Sequence, residues 1–251
     1  MNDETSTRIA GFDLGHGETA VSICNLHGDA KPQDLDVWGG GVKSVLTAIG
    51  WHPEQGVMVG GSALMNAKVE KSQICFKGDP LGKPTESKVQ TDERNRVVQA
   101  YFKAWFDRMA ANNQTGGDGG VKLYVGCPSG WSYESINRYQ KLLQDVVSAK
   151  ITIVKESRAA YLNTVESKTS TLALEDLRKD IMIVDIGSST TDLTLVHDLL
   201  DEDFGNPQLG AAIIDQSLYR RTLEKSPERA LWEDALSRNP KLRARNSIGE
   251  Q

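Results

Sequence analysis

IMIVDIGSSTTDLTLV, residues 181–196, is the stretch from which the fold is read. Four apolar residues, Ile181 to Val184, run into Asp185. Ile186, Gly187, two serines and two threonines follow, then Asp192 and a second apolar run. The pattern predicts two strands joined by a turn of small, hydroxylated residues. Such a turn lets backbone approach an anion closely, and its N–H groups form an anion-binding concavity. Carboxylates at the same place repel a phosphate unless a divalent cation lies between them. Mg²⁺ suits that position, since it keeps most of its waters and binds through one or two carboxylates plus phosphate oxygens.

The same chemistry occurs near the start of the chain. RIAGFDLG, residues 8–15, and TAVSICNL, residues 19–26, read as strands around a turn of Gly15, His16, Gly17 and Glu18. Both hairpins place D-[LI]-G at the end of an apolar strand, with Asp13 in one and Asp185 in the other. A single D-x-G turn is common, but two that each close an apolar strand form an internal repeat in chemistry rather than in period.

Between the hairpins, residues 34–80 hold short apolar pieces broken by glycine and proline, and predict a loop-rich insertion. Val97, Val98, Tyr101, Phe102, Trp105, Phe106 and Met109 recur at helical spacing, which a core-facing stripe explains. TGGDGG at 115–120 ends that helix and VKLYVGCP, 121–128, predicts a buried strand. Ser132 caps a second helix carrying Ile136, Tyr139, Leu142, Leu143, Val146 and Val147. ITIVKE predicts a strand, SRAAYLNTV a helix, and LGAAIIDQSLYRRTLEK a turn running into a helix. Strands that alternate with helices, interrupted by tight hairpins, imply mixed sheets flanked by helices.

Composition narrows the function classes. The chain has 251 residues with a net charge of −5 and 25% charged residues. The one basic cluster, Lys241, Arg243 and Arg245, reads as a solvated helix end, so nucleic acid is not an expected partner. Cys24, Cys75 and Cys127 are far apart with no CxxC pair, which argues against a zinc site or a disulfide framework. No apolar run approaches a membrane span and MNDETSTR does not resemble a signal peptide, so a cytoplasmic location is expected.

Taken together, the motifs resemble those of the actin, hexokinase and heat-shock chaperone ATPase superfamily, in particular the seventy-kilodalton (DnaK-type) chaperones. The two hairpins resemble that family's phosphate loops. VKLYVGCPSGWS resembles the strand entering its P-A-x-[FW] turn, IVKESRAAYL its connecting segment, and LGAAIID, 209–215, more loosely its L-G-G-x-x-[FI]-D. The resemblance covers residues 8 to about 220 and implies an actin-like (ribonuclease H-like) α/β ATPase fold. It implies a first lobe over 1–179, with a small inserted subdomain at about 39–96. A second lobe begins at 180–251 and is incomplete, because no glycine-rich adenosine-holding segment follows.

The resemblance further implies ATP or ADP with Mg²⁺, and slow hydrolysis used as a conformational switch. Asp13 and Asp185 would be the metal-side carboxylates, Glu156 the group that orients the attacking water, and Thr190 the threonine at the tip of the second loop. Gly15, His16, Gly17, Gly187, Ser188, Ser189, Thr190 and Gly210 would contact the nucleotide. Client polypeptides or a co-chaperone are implied only through regions beyond this chain. Taken alone, Glu156 reads equally well as a helix-start acid.

The chain departs from the chaperones at three places. His16, Gly17 and Glu18 replace small hydroxyl residues, and S-S-T-T replaces a glycine-rich turn. Leu64 stands where the family's catalytic lysine is aligned, which makes Lys68 in VGGSALMNAK the nearest substitute. Three alternatives remain open from sequence: an actin-like filament or plasmid-segregation ATPase, a non-catalytic interaction module of the same fold, and, ranked last for want of a base carboxylate in PSGWSYES, a sugar or acetate kinase.

Overall fold

The first hairpin forms where its apolar residues alternate. Strand β1 (Arg8–Leu14) pairs antiparallel with β2 (Glu18–Asn25), and Ala10, Phe12 and Leu14 all point into the core. The computed structural model describes residues 8–26, 31–115, 120–166, 180–188, 190–197, 200–206 and 210–238. Ser189, the first seven residues up to Thr7, most of the 115–120 glycine tract and the basic cluster at 241–245 lie outside the described residues.

Strand β8 (Val121–Cys127) lies parallel to β1, and β9 (Lys150–Lys155) parallel to β8. With β3 (Gln33–Asp34) and β4 (Ser44–Leu46) on the far side of β2, they complete a mixed six-stranded sheet. Helix α2 (Lys88–Ala111) supplies Tyr101, Phe102, Trp105 and Met109 to the core. Phe12 meets Phe102 and Trp105 edge-on, with ring centroids 5.0 and 5.4 Å away. Helix α3 (Tyr133–Gln144) adds Tyr139, Leu142 and Leu143.

Several boundaries differ from expectation for local reasons. Helix α2 starts at Lys88, ahead of its apolar stripe, because Ser87 and Gln90 form a reciprocal capping box. Helix α3 stops at Gln144, so Val146 and Val147 pack from the turn after it. The segment at 34–80 is not mainly loop. Beyond β3 and β4 it holds β5 (Ala48–His52), β6 (Gly56–Val59), a short helix α1 (Gly61–Met65) and β7 (Lys71–Ile74). The last three strands form a separate sheet in the order β6-β5-β7. Gly56 and Gly60, at φ 73° and 74°, supply the left-handed turns that let such short pieces pair.

Helix α4 (Glu156–Glu166) leads to the second hairpin, β10 (Ile181–Ile186) and β11 (Thr191–His197). Strand β12 (Leu200–Asn206) pairs antiparallel with β11 as an outer strand. Its sequence, LDEDFGN, lacks an apolar alternation and gave no strand signal. Helices α5 (Ala211–Lys225) and α6 (Arg229–Arg238) follow. The order β3-β2-β1 in the first sheet thus has a counterpart in β12-β11-β10. Among the described residues no helix is long and apolar enough to cross a membrane.

Candidate functional site

The two D-[LI]-G turns face one another. A cleft of about 1390 Å³ lies between the sheets, lined from one side by Asp13, Gly15, His16 and Gly17 and from the other by Asp185, Gly187, Ser188 and Thr190. The turns touch: a methyl group added at Gly17 would lie 3.3 Å from the Ser188 hydroxyl. In both hairpins the aspartate sits one residue before the end of the first strand, opposite Ala20 in one and Asp192 in the other.

The first turn is held in shape from below. The Tyr101 hydroxyl donates to Thr19 Oγ1 at 2.9 Å, and Thr19 lies 2.8 Å from Thr47 Oγ1. Thr47 Oγ1 donates to the Gly15 carbonyl, and its N–H to that of Gly17, both at 2.8 Å. A side chain at Gly15 would strike the Glu18 carbonyl oxygen at 2.4 Å, so the turn demands glycine there. In the second turn the Gly187 N–H donates to the Thr190 carbonyl at 2.9 Å. Neither Ser188 nor Thr190 has a positive φ, so at these two positions a side chain fits without left-handed strain.

Asp13 and Asp185 are raised above the usual carboxylate range. For both, burial is the main cause and the Glu156 carboxylate adds to it. Asp185 raises Asp13 further and Asp192 raises Asp185, while the Lys77 ammonium opposes each shift. A carboxyl raised in the folded state contributes stability only at acid pH, and that contribution is lost as pH rises through its folded value. At neutral pH the ionised pair therefore works against the empty fold, and a cation between the carboxylates relieves it. Among the described residues no three His, Cys, Asp or Glu side chains gather into a ready-made metal cage. Two carboxylates in a wide cleft fit a Mg²⁺ held mainly by water and phosphate better than a protein-caged ion.

Glu156 opens α4 at the end of β9, and its Oε1 accepts a hydrogen bond from Lys77 Nζ at 2.7 Å. That ammonium is only 6% exposed. Lys77, not Lys68, is thus the lysine that meets Glu156: Lys68 lies on the surface, 3.7 Å from the Glu54 carboxylate. The chain reaches the cleft through a kink. Cys75 has φ 57°, a costly conformation for a residue with a side chain. Phe76 is then buried against Tyr101, ring centroids 5.1 Å apart, and Lys77 follows. The loop beyond is tied down by Arg94, which donates to the Asp79 carbonyl at 2.7 Å and to both Glu86 carboxylate oxygens at 2.9 Å.

One expected site residue stands apart from the cleft lining. Gly210 is buried ahead of α5 and does not line the cleft, although the next residue, Ala211, donates its N–H to the Gly187 carbonyl at 3.1 Å. Asp192 is 3% exposed and accepts from the Gly130 N–H at 3.1 Å, tying the second hairpin to the turn after β8. Beside it runs a buried polar chain. Asp203 can only accept, so the single Thr194 hydroxyl proton goes to Asp203 Oδ1 at 2.6 Å. Ser157 then donates to Thr194 and Ser129 to Ser157, while Lys155 pairs with the other Asp203 oxygen. This chain joins β8, β9 and α4 to β11 and β12 at the base of the cleft.

No protein-family model matches the chain, and no curated protein matches it at a significant level. Solved structures do. MreB5 of Spiroplasma citri bound to ADP is 14% identical with a TM-score of 0.57, over 87% of this chain and 57% of that one. The same protein bound to AMPPNP gives a TM-score of 0.55 at 14% identity, with 87% and 57% covered. A MamK double helical filament gives 0.58 at 18% identity, with 88% and 60% covered. The chain therefore spans 57–60% of the length of these structures. At such identities the likeness concerns architecture, and it establishes that the chain has the actin-like ATPase fold.

Proposed function

We propose that the cleft binds an adenine nucleotide with Mg²⁺ and that the protein is an ATPase of the filament-forming, actin-like kind. The observation that carries the nucleotide reading is the convergence of Asp13, Asp185 and the Lys77–Glu156 pair on two turns that touch through Gly17 and Ser188. Solved structures of the same fold hold ADP or AMPPNP. Asp13 and Asp185 would hold Mg²⁺, directly or through water, and the ion would neutralise phosphate charge. The turn N–H groups with the Ser188 and Thr190 hydroxyls would cradle the phosphates. Glu156 would orient a water for in-line attack. Lys77 would hold Glu156 in place and meet the charge that develops.

The chaperone-like switch implied by sequence motifs gives way here to the filament type, because the structural neighbours include a double helical filament. The partner on this reading is a second copy of the same chain rather than a client polypeptide. The lobes at 1–179 and 180–251 would close on the nucleotide, and closure would change how copies fit together. Sedimentation tests it: the protein should pellet with Mg·AMPPNP and remain in the supernatant with EDTA. Nucleotide binding without any change in assembly size would instead favour the chaperone-like switch.

A further inference from the structure

His16 has no counterpart in the chemistry assigned above. It occupies the middle of the first phosphate turn, between Gly15 and Gly17, and lines the cleft. Its Nδ1 lies 3.2 Å from the Lys77 carbonyl oxygen. A carbonyl only accepts, so Nδ1 carries a proton and donates it. In the neutral ring Nε2 is then a bare acceptor. A phosphate oxygen is also an acceptor, so a neutral His16 offers a bound phosphate nothing on that side. An imidazolium offers a charged donor while keeping its bond to Lys77.

We propose that His16 recognises phosphate as an imidazolium, taking up a proton when the nucleotide binds and making affinity depend on pH. This inference rests on the nucleotide reading of the same cleft. In the empty cleft burial is the main force holding the ring below the ordinary histidine value, and the Lys77 and Lys83 ammonium groups add to it, against the bond to the Lys77 carbonyl. The other charged groups lining the cleft are Asp13 on β1, Glu18 on β2, Asp79 in the loop after Lys77, Glu156 on α4, Asp185 on β10 and Asp192 on β11. The ring is neutral at pH 7 until an anion arrives. A phosphate within hydrogen-bonding reach reverses the balance and raises the ring's pKa. The bond to Lys77 also links the phosphate turn to the segment that carries the ammonium on Glu156.

The sign distinguishes His16 from its neighbours. Asp13 and Asp185, raised in the empty cleft, lose proton affinity when a cation binds, so any change they make is proton release. Uptake is the mark of the histidine. The test is calorimetric titration of the protein with Mg·ADP and Mg·AMPPNP, with Mg²⁺ saturating, between about pH 6 and pH 8. Running it in two buffers of different ionisation enthalpy counts the protons, and adenosine serves as the phosphate-free arm. Wild type should take up a large fraction of one proton near pH 7 and bind roughly tenfold tighter at pH 6 than at pH 8, since one pKa unit is a factor of ten. His16→Asn keeps a donor for the Lys77 carbonyl but has no titrating ring, and it should abolish both the uptake and the slope. Adenosine should show neither. Nucleotide binding without uptake, or an equal slope in His16→Asn, overturns the inference and leaves the nucleotide reading intact. Failure of any Mg·nucleotide to bind overturns both.

Discussion

Lys77→Met should lower single-turnover hydrolysis of Mg·ATP by roughly a hundredfold or more, the usual scale for removing one preorganised charge from a reacting site. The ammonium is nearly inaccessible and its bond to Glu156 is short and charge-assisted, so its loss changes the cleft in two ways. It removes a cation from where phosphate charge develops. It also removes the ammonium that opposes the repulsion among Glu156, Asp13 and Asp185, so Asp13 and Asp185 rise further, and it takes away the contact that holds Glu156 in place. Methionine retains the stem's volume beside buried Phe76, so the fold should survive. Lys68→Ala should leave the rate unchanged, since that side chain pairs with Glu54 on the surface. An unchanged rate in Lys77→Met would remove Lys77 from the chemistry.

The second large effect is expected at the base of the cleft. Gly205→Val should destabilise the protein by about 2–3 kcal/mol, the upper part of the range for forcing bulk into a closed contact. A side chain there would lie 2.7 Å from Asp192 Oδ1 and 2.9 Å from the Gly130 Cα. Neither neighbour yields easily: one is backbone, and the other is a buried carboxylate already accepting from Gly130. The two sheets meet at this pair of glycines, next to the Ser129–Ser157–Thr194–Asp203 chain. Pushing them apart also widens the cleft. Thermal unfolding should shift down by roughly 5–10 °C for a chain of this size. A variant as stable as wild type would show that the two hairpins do not meet here.

Much of this was legible in the chain because the decisive signals are local. The D-[LI]-G turns announce themselves through apolar runs and small residues, and the α2 stripe through helical spacing. Asp13, Asp185 and Glu156 all came from such stretches and all line the cleft. Lys77 did not, because nothing within a few residues marks it. Its partner, Glu156, is 79 positions away, and the only local hint is the apolar Ile74 and Phe76 around a cysteine turn. Strand β12 was missed for a related reason: its Asp203 serves Thr194 and Lys155 rather than a core face. Asp192 lines the cleft and also ties the sheets together by accepting from the Gly130 N–H. Gly210, expected as a nucleotide contact, is buried just ahead of α5 and outside the cleft lining.

The central claim is that the touching turns form one Mg·nucleotide site. Calorimetric titration of the protein with Mg·ATP tests it most directly, set beside the same titration in EDTA and with Asp185→Asn. Wild type should bind one nucleotide saturably. EDTA should weaken that binding, and Asp185→Asn should weaken it roughly tenfold while stabilising the empty protein at neutral pH, because it removes one of the repelling carboxylates. Absence of saturable binding, or binding indifferent to both EDTA and Asp185→Asn, would contradict the account.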